Sequence, residues 1–361
     1  MKYATLLLLL LGAWRPAPTQ AQAPVKVLVY PGTELLQVIH LLSDTAQMAK
    51  STYNAEVLRY FRAYRRHPAV LAARRLPHIS CDFPVRLSWA FYGFPRPKLA
   101  TMTGMGGYET LYDIHQIQAY FQECLRFYYD AHFWTFYQAR APEYAGWVAG
   151  LNRALYQDSM LATLDKFYRL KRDQPVVITL GALNCGSYAV SAADLRGINP
   201  QLPAQNTVLV AYHQVSQNQG TLAKAPTFYA PAMTSQLLWH ELGHAYLSEV
   251  FRRHQPAVQS LAYLMSDSLV ARKARLRGGW ANYLNENVTQ AVTSLLRIRT
   301  GQVSRAEELA PDDFYLLAAE LLGIIERAYY GSAKYRDFDQ FFPVLLATMQ
   351  KQHPTPSVLK P

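Results

Sequence analysis

The chain has 361 residues, of which 50% are hydrophobic and 17% charged, and its 36 basic and 25 acidic residues give a net charge of +11. A chain of this length can bury most of its unfolded surface and needs no disulfides to stabilise its core. The positive charge favours contact with an anionic envelope surface, but no nucleic-acid-binding motif is present, so we expect no nucleic-acid partner.

The first residues contain a short leucine-rich run. Lys2 precedes the run from Thr5 to Gly12, and small residues that end at Ala21 follow it. The run is far shorter than the roughly 20 apolar residues that a membrane span needs. The pattern therefore predicts a secretory signal peptide over residues 1–21, and an exported protein, periplasmic or extracellular, without a transmembrane segment in the mature chain.

The region from 22 to 173 is predicted to be mainly helical. Val25–Tyr30 favours a short strand, and helical periodicity follows over 34–76 and 108–170, separated by an irregular stretch at 80–107 that is rich in proline and glycine. No motif assigns this region a function.

Aromatic residues are concentrated between Phe121 and Tyr137. Their helical spacing predicts core packing rather than a sugar or peptide groove, and His115 and His132 are given the same core interpretation. A domain boundary is predicted near Asp173. In the alternative arrangement, the strand at Val25 joins a later sheet, and the chain forms one α+β unit.

The region from 174 to 361 begins with two β-rich runs, at 175–180 and Thr207–His213, each flanked by turn residues. Between them, Cys185 is predicted to be a buried, inert thiol rather than a nucleophile. The three cysteines allow at most one disulfide.

The stretch that follows carries the sequence His-Glu-Leu-Gly-His, with histidines at 240 and 244. Residues four apart lie on one face of a helix, so His240 and His244 could share one zinc ion, while Glu241 could act as general base on a zinc-bound water. Because the flanking residues are apolar, a carboxylate here would be unfavourable without a cation. The alternative interpretation is a pair of core histidines bonded to main-chain oxygens. Thr234 or Ser235 could cap this helix.

A third zinc ligand is sought downstream. Residues 280–300 are predicted to form a helix, on which Tyr283, Glu286 and Gln290 make a polar stripe opposite an apolar one. Glu286 is the candidate ligand, and the alternative is a solvated glutamate on a polar helix face. Asp267 is the rival ligand.

These two helices resemble those of the gluzincins, the thermolysin-like and neprilysin-like metallopeptidases. Asn285-Glu286 is similar to the Asn-Glu of the former, and Glu286-Asn287-Val288 to the Glu-Asn-Ile of the latter, whereas Leu247 and Val250 exclude the metzincin pattern. The resemblance implies that Glu286 completes the site. Where these families place an aspartate that orients a histidine, this chain has Gln290, whose amide oxygen could accept the same bond without charge.

The predicted fold is therefore α+β and predominantly helical, with a zincin-like catalytic core made of a small sheet and an active-site helix. Thr207–His213 is expected to be the edge strand that binds an extended peptide. Tyr283 is the candidate oxyanion donor, with three further tyrosines as competitors: Tyr329, Tyr330 and Tyr335.

The function predicted is a secreted peptidase that uses one zinc ion on a peptide or protein substrate. Three alternatives stay open. The first is a zinc hydrolase of cell-wall peptides or other amides, the second is an exported binding protein of zincin fold without catalytic activity, and the third is a protein that binds no metal.

Overall fold

The computed structural model describes residues 23–44, 51–76, 83–106, 108–109, 112–212, 226–310 and 314–354. The predicted signal peptide lies outside these ranges. The described chain is predominantly helical with a small mixed sheet, which confirms the α+β prediction. Among the described residues, none of the helices combines the length and the hydropathy of a membrane span.

The described residues contain six strands in two sheets: β1 (Val25–Leu28), β2 (Phe91–Tyr92), β3 (Lys98–Leu99), β4 (Val176–Gly181), β5 (Tyr188–Val190) and β6 (Asn206–Ala211). The larger sheet has the order β1-β4-β6-β5. Strands β1, β4 and β6 are parallel, and β5 is antiparallel to β6. The pairing of Val25 with Val176 confirms that the N-terminal strand joins the later sheet.

The prediction of an edge strand at Thr207–His213 is wrong. Strand β6 lies inside the sheet between β4 and β5; β5 forms the edge beside it, and β1 forms the opposite edge. Every residue of β6 except Asn206 is buried, as in a strand that is covered on both faces. Strand β5 is only three residues long, too short for its periodicity to be recognised in the sequence.

The N-terminal half contains eight helices among its described residues: α1 (Pro31–Ser43), α2 (Thr52–Tyr60), α3 (Pro68–Ala73), α4 (Ile114–Asp130), α5 (Phe133–Ala139), α6 (Ala141–Asn152), α7 (Met160–Tyr168) and α8 (Ala192–Ile198). Helix α1 is buried from Gly32 to Leu42. The aromatic residues of α4 and α5 enter the core as predicted, with Phe121, Phe127 and Phe133 fully buried.

The core interpretation of two histidines is wrong, because both are exposed. His115 lies in the first turn of α4, directly after its cap Asp113. His132 lies in the turn between α4 and α5, where its φ of 48° places it in the left-handed region. Both positions are at helix ends rather than on a packed face.

Seven helices follow in the described part of the C-terminal half: α9 (Pro231–Arg253), α10 (Gln255–Ser260), α11 (Ser268–Leu276), α12 (Trp280–Arg299), α13 (Arg305–Glu308), α14 (Ala318–Ala328) and α15 (Phe338–Gln352). Helix α9 carries both motif histidines, and it packs against α12, α7 and the strands β5 and β6.

The start of α9 differs from the prediction. The helix begins at Pro231, whose fixed φ and missing amide suit a first helical position. Thr234 is therefore inside the helix, where its hydroxyl accepts a hydrogen bond from the Ala230 amide at 2.9 Å. Ser235 donates to the Gln302 side chain instead of capping the helix.

A cluster of charged and hydrogen-bonded side chains joins α9 to α7 and to the residues that precede β1. The Arg172 guanidinium, 6% exposed, donates to the Asp165 carboxylate and to the Tyr246 hydroxyl, and it also contacts the carbonyl of Ala23 at 3.4 Å. Tyr246 in turn donates to Asp165 and stacks on Tyr168, with ring centroids 4.7 Å apart. These contacts fix the motif helix just beyond its second histidine.

Two of the three cysteines can be placed. Cys185 is disulfide-bonded, so the prediction of an inert free thiol there is wrong. Cys124 is a buried free thiol. Cys81 lies outside the described residues.

Candidate metal centre

Three side chains from two helices converge beside α9. Each of His240, His244 and Glu286 offers one ligand atom, and these atoms all lie within 4.8 Å of one another. The Nε2 atom of His240 is 3.4 Å from Oε2 of Glu286, and the Nε2 atom of His244 is 3.8 Å from Oε1. One carboxylate thus faces both imidazoles.

Two side chains of α12 fix the orientation of the His244 ring. Its Nδ1 atom is 3.1 Å from Oδ1 of Asn285 and 3.4 Å from the Thr289 hydroxyl, which also donates to Asn285 at 3.2 Å. An Nδ1–H that donates to Asn285 leaves Nε2 with a free lone pair facing Glu286, which is the form that binds a metal.

The role suggested for Gln290 is not observed. Its amide nitrogen donates to the Ser294 hydroxyl at 3.1 Å, further along α12. Asn285 takes the position behind His244 because it precedes Glu286 directly and lies one turn from Thr289. The neutral amide at this position fits the expectation that the histidine is oriented without a charge.

Gly243 determines how closely the two helices approach each other. A Cβ atom at this position would lie 3.0 Å from Cγ2 of Thr289 and 3.2 Å from the Tyr168 hydroxyl. Both distances are shorter than a relaxed contact between carbon or oxygen atoms. The absent side chain therefore leaves room for Thr289, which contacts His244.

The rival ligand Asp267 has a structural role. It caps α11 by accepting the amides of Leu269 and Val270 at 2.8 and 3.1 Å. Its extended backbone also separates α11 from the 3₁₀ turn at 262–266 that precedes it.

A tyrosine that was not predicted lies beside the site. The ring of Tyr315 lies 5.9 Å from the ring of His240, centroid to centroid. Tyr283 is only 1% exposed, and its hydroxyl lies beside Asn287 and the main chain of Leu316. Nothing in the local sequence distinguishes Tyr315, because it lies before α14 and its position depends on the path of the chain.

The three competing tyrosines lie away from the two histidines. Tyr329 donates its hydroxyl to the carbonyl of Phe167 at 2.8 Å. Tyr330 lies beneath the Arg299 guanidinium, and Tyr335 packs against Phe341.

Glu241 is 8% exposed, and its surroundings raise the pKa of its carboxyl. Burial raises the pKa of its carboxyl to about 7; the charge of His240 opposes this shift and that of Glu286 reinforces it. Arg86 and Arg277 lower the same pKa through their positive charges. A carboxyl with this pKa can both accept and donate a proton near neutral pH.

The pKa values of the two histidines are shifted in opposite directions. Burial lowers the pKa of His244 to about 4, so its imidazole is neutral at physiological pH. Burial also opposes charging of His240, but the hydrogen bond and negative charge of Glu286 outweigh it and raise the pKa. Burial opposes ionisation of Glu286 too, yet its contacts with the two histidines hold its pKa well below the usual range. The carboxylate is thus ionised and faces the imidazoles.

Two arginines lie near the three candidate ligands. Arg277 lies with its Nη1 atom 3.7 Å from Oε1 of Glu286, and its guanidinium stacks on Phe314. Arg86 comes from the 3₁₀ turn at 85–90, and its guanidinium lies 4.8 Å from the ring centroid of Tyr188 on the edge strand β5. The charge of Arg86 acts on Glu241 and His244, so the irregular N-terminal stretch lies near the site, which no residue pattern in it indicated.

The donor set fits a zinc ion. Two imidazole nitrogens and one carboxylate oxygen are the ligands of many catalytic zinc sites, which keep one position open for water or substrate. Within the described residues, the ring nitrogens of both histidines contact side chains of α12, in contrast to the alternative of bonds to main-chain oxygens. Comparisons with protein-family models, curated proteins and solved structures find no match to this chain.

Proposed function

We propose that this protein is an exported zinc-dependent peptidase of gluzincin type. The observation that carries the proposal is the convergence of His240 and His244 with Glu286 from a separate helix. His240, His244 and Glu286 would hold one zinc ion. When bound, zinc lowers the pKa of a water molecule and polarises a carbonyl group.

Glu241 supplies the proton transfers. It accepts a proton from the attacking water and returns it to the leaving amine, because its buried carboxylate lies directly beside the ligand His240. Asn285 and Thr289 hold His244 in the orientation that a ligand needs. Tyr315 is the donor that we propose for the developing oxyanion, because its ring is next to His240.

The substrate strand is proposed to pair with β5. This strand is one edge of the sheet and packs against α9, so an extended peptide added there would run past the motif helix. Export to the periplasm or the extracellular space is supported by the leucine-rich leader and by the disulfide at Cys185, since disulfides persist in oxidising compartments.

The test uses a matched pair of variants on one helix. Glu241→Gln should lower kcat by about 10²–10⁴-fold while zinc stays bound at one equivalent, because the general base is lost and the ligands remain. Glu249→Gln removes an exposed glutamate of α9 and should leave kcat unchanged, since its side chain is 45% exposed and pairs with Arg252.

The substrate panel should contain unstructured peptides and cell-wall peptides. Cleavage of the former supports the peptidase, and cleavage of wall peptides alone supports the alternative hydrolase. Zinc binding without turnover of any substrate in the panel would indicate a binding protein and refute the proposed catalysis.

A further inference from the structure

A second surface of the protein is concentrated in arginines. Residues 57–76 contain six arginines and no acidic residue. They cover the end of α2, the 3₁₀ turn at 62–64 and helix α3, and all six arginine side chains are exposed: Arg59, Arg62, Arg65, Arg66, Arg74 and Arg75. We name this surface the arginine corner.

The charges of the arginine corner are largely unneutralised. In the part of the chain that the structure describes, Arg74 alone of the six is engaged, through hydrogen bonds to the carbonyls of Ser43 and Leu42 at 3.2 and 3.3 Å. Among the described residues, none of the other five has a carboxylate partner, whereas Arg126, Arg140 and Arg253 elsewhere on the surface are all paired. Five unpaired guanidinium groups within 17 residues form a concentrated positive field.

Apolar side chains are exposed among these arginines. Tyr60 is 45% exposed and Leu71 is 37% exposed. The corner is joined to the end of α4 by the Tyr64 hydroxyl, which donates to the carbonyl of Asp130 at 2.9 Å, and the adjacent Tyr129 is 52% exposed. Tyrosines and aliphatic side chains beside arginines are typical of groups that lie at a lipid headgroup boundary.

A second basic group lies on and just after α11 and consists of Arg272, Lys273, Arg275 and Arg277. Arg277 lies beside Glu286, and Lys273 and Arg277 both contact the ring of Phe314. Arg277 and Lys273 therefore adjoin the metal centre, whereas the arginine corner is built from separate helices, α2 and α3.

We propose that the arginine corner is a docking surface for membranes rich in anionic phospholipid. Guanidinium groups bind phosphate oxygens through paired hydrogen bonds, and Tyr60 and Leu71 contact the interfacial region between headgroups. This function is independent of the metal centre. It would hold the protein at an anionic membrane without a transmembrane helix.

The test is cosedimentation of the full chain with vesicles of phosphatidylglycerol and phosphatidylcholine, or of phosphatidylcholine alone. We expect binding to the mixed vesicles only, decreasing with added salt. The variant Arg62→Gln/Arg65→Gln/Arg66→Gln should bind about 100-fold more weakly, because each basic residue near an anionic surface contributes a factor of about five. The dispersed control Lys98→Gln/Arg196→Gln/Lys351→Gln, with the same change in net charge, should lose less than about threefold by the same reasoning.

A second variant distinguishes binding to a lipid surface from binding to a soluble phosphate polymer. Tyr60→Ser/Leu71→Ser should weaken vesicle binding several-fold and leave binding to soluble polyphosphate unchanged. Equal losses in the clustered and dispersed triple variants would overturn the proposal, because net charge alone would then explain binding. Tighter binding to polyphosphate than to vesicles, insensitive to Tyr60 and Leu71, would also overturn it.

Discussion

Gly243→Ala should weaken the metal centre although residue 243 contacts no ligand atom of the cluster. A Cβ atom at 243 would lie 3.0 Å from Cγ2 of Thr289 and 3.2 Å from the Tyr168 hydroxyl. Carbon atoms prefer separations of about 3.5–4.0 Å, so the added methyl group is roughly 0.5–1 Å too close. Thr289 cannot rotate away without disturbing Asn285 and His244, and Tyr168 is fully buried.

The expected free energies follow from these contacts. Overpacking of a dense core costs about 1–3 kcal/mol. Replacement of glycine by alanine inside a helix contributes about 1 kcal/mol in the opposite direction. The variant should therefore be less stable than wild type by up to about 2 kcal/mol, and its zinc affinity should fall about 10–100-fold, because the support of a ligating histidine moves.

The assay combines urea unfolding with zinc titration against a competing chelator. Gly146→Ala is the matched control, because residue 146 lies inside helix α6 with no atom within 4 Å of an added Cβ. That variant should be more stable by up to about 1 kcal/mol and should bind zinc normally. If Gly243→Ala were stabilised to the same extent and kept its zinc affinity, the inferred coupling between helix spacing and His244 would be refuted.

Three further predictions concern separate features. Arg172→Met should lower the free energy of unfolding by about 3–5 kcal/mol in urea, because it leaves Asp165 without its guanidinium partner; a loss below 1 kcal/mol would contradict the anchoring role. Asn285→Ala should lower zinc affinity about 10–100-fold, whereas Gln290→Ala should not; equal effects would show that His244 is oriented differently. Burial raises the pKa of Glu34 from 4.5 to about 7, so the protonated carboxyl contributes to the free energy of unfolding fully below pH 4.5, and this contribution is lost as pH rises through 7. Glu34→Gln should remove ~3 kcal/mol of this pH dependence. An unchanged pH profile of unfolding in the variant would contradict the prediction.

The features predicted best from the sequence are those set by local periodicity. The helix that carries Glu286 was expected over 280–300 and spans Trp280–Arg299. The spacing of the two motif histidines places them on one face of α9 in the same way. Long amphipathic segments are recognisable because every turn repeats the same pattern.

The features missed depend on contacts between distant segments. The edge strand β5 has three residues, and only its pairing with β6 identifies it. Arg86 and Tyr315 approach the site from segments without a motif, and the support of His244 comes from Asn285 rather than Gln290. The sequence pattern specified which residue types the chemistry needs, but the path of the chain decided which neighbours surround them.

The bond between metal and protein can be measured directly by X-ray absorption at the zinc edge, on protein reloaded with one equivalent of zinc. We expect nitrogen and oxygen neighbours at about 2.0–2.1 Å, with the multiple scattering of two imidazoles. That signal should diminish to one imidazole in His244→Ala. A spectrum without imidazole scattering, with sulfur at about 2.3 Å, or with zinc surrounded by water alone, would contradict a site made of His240, His244 and Glu286.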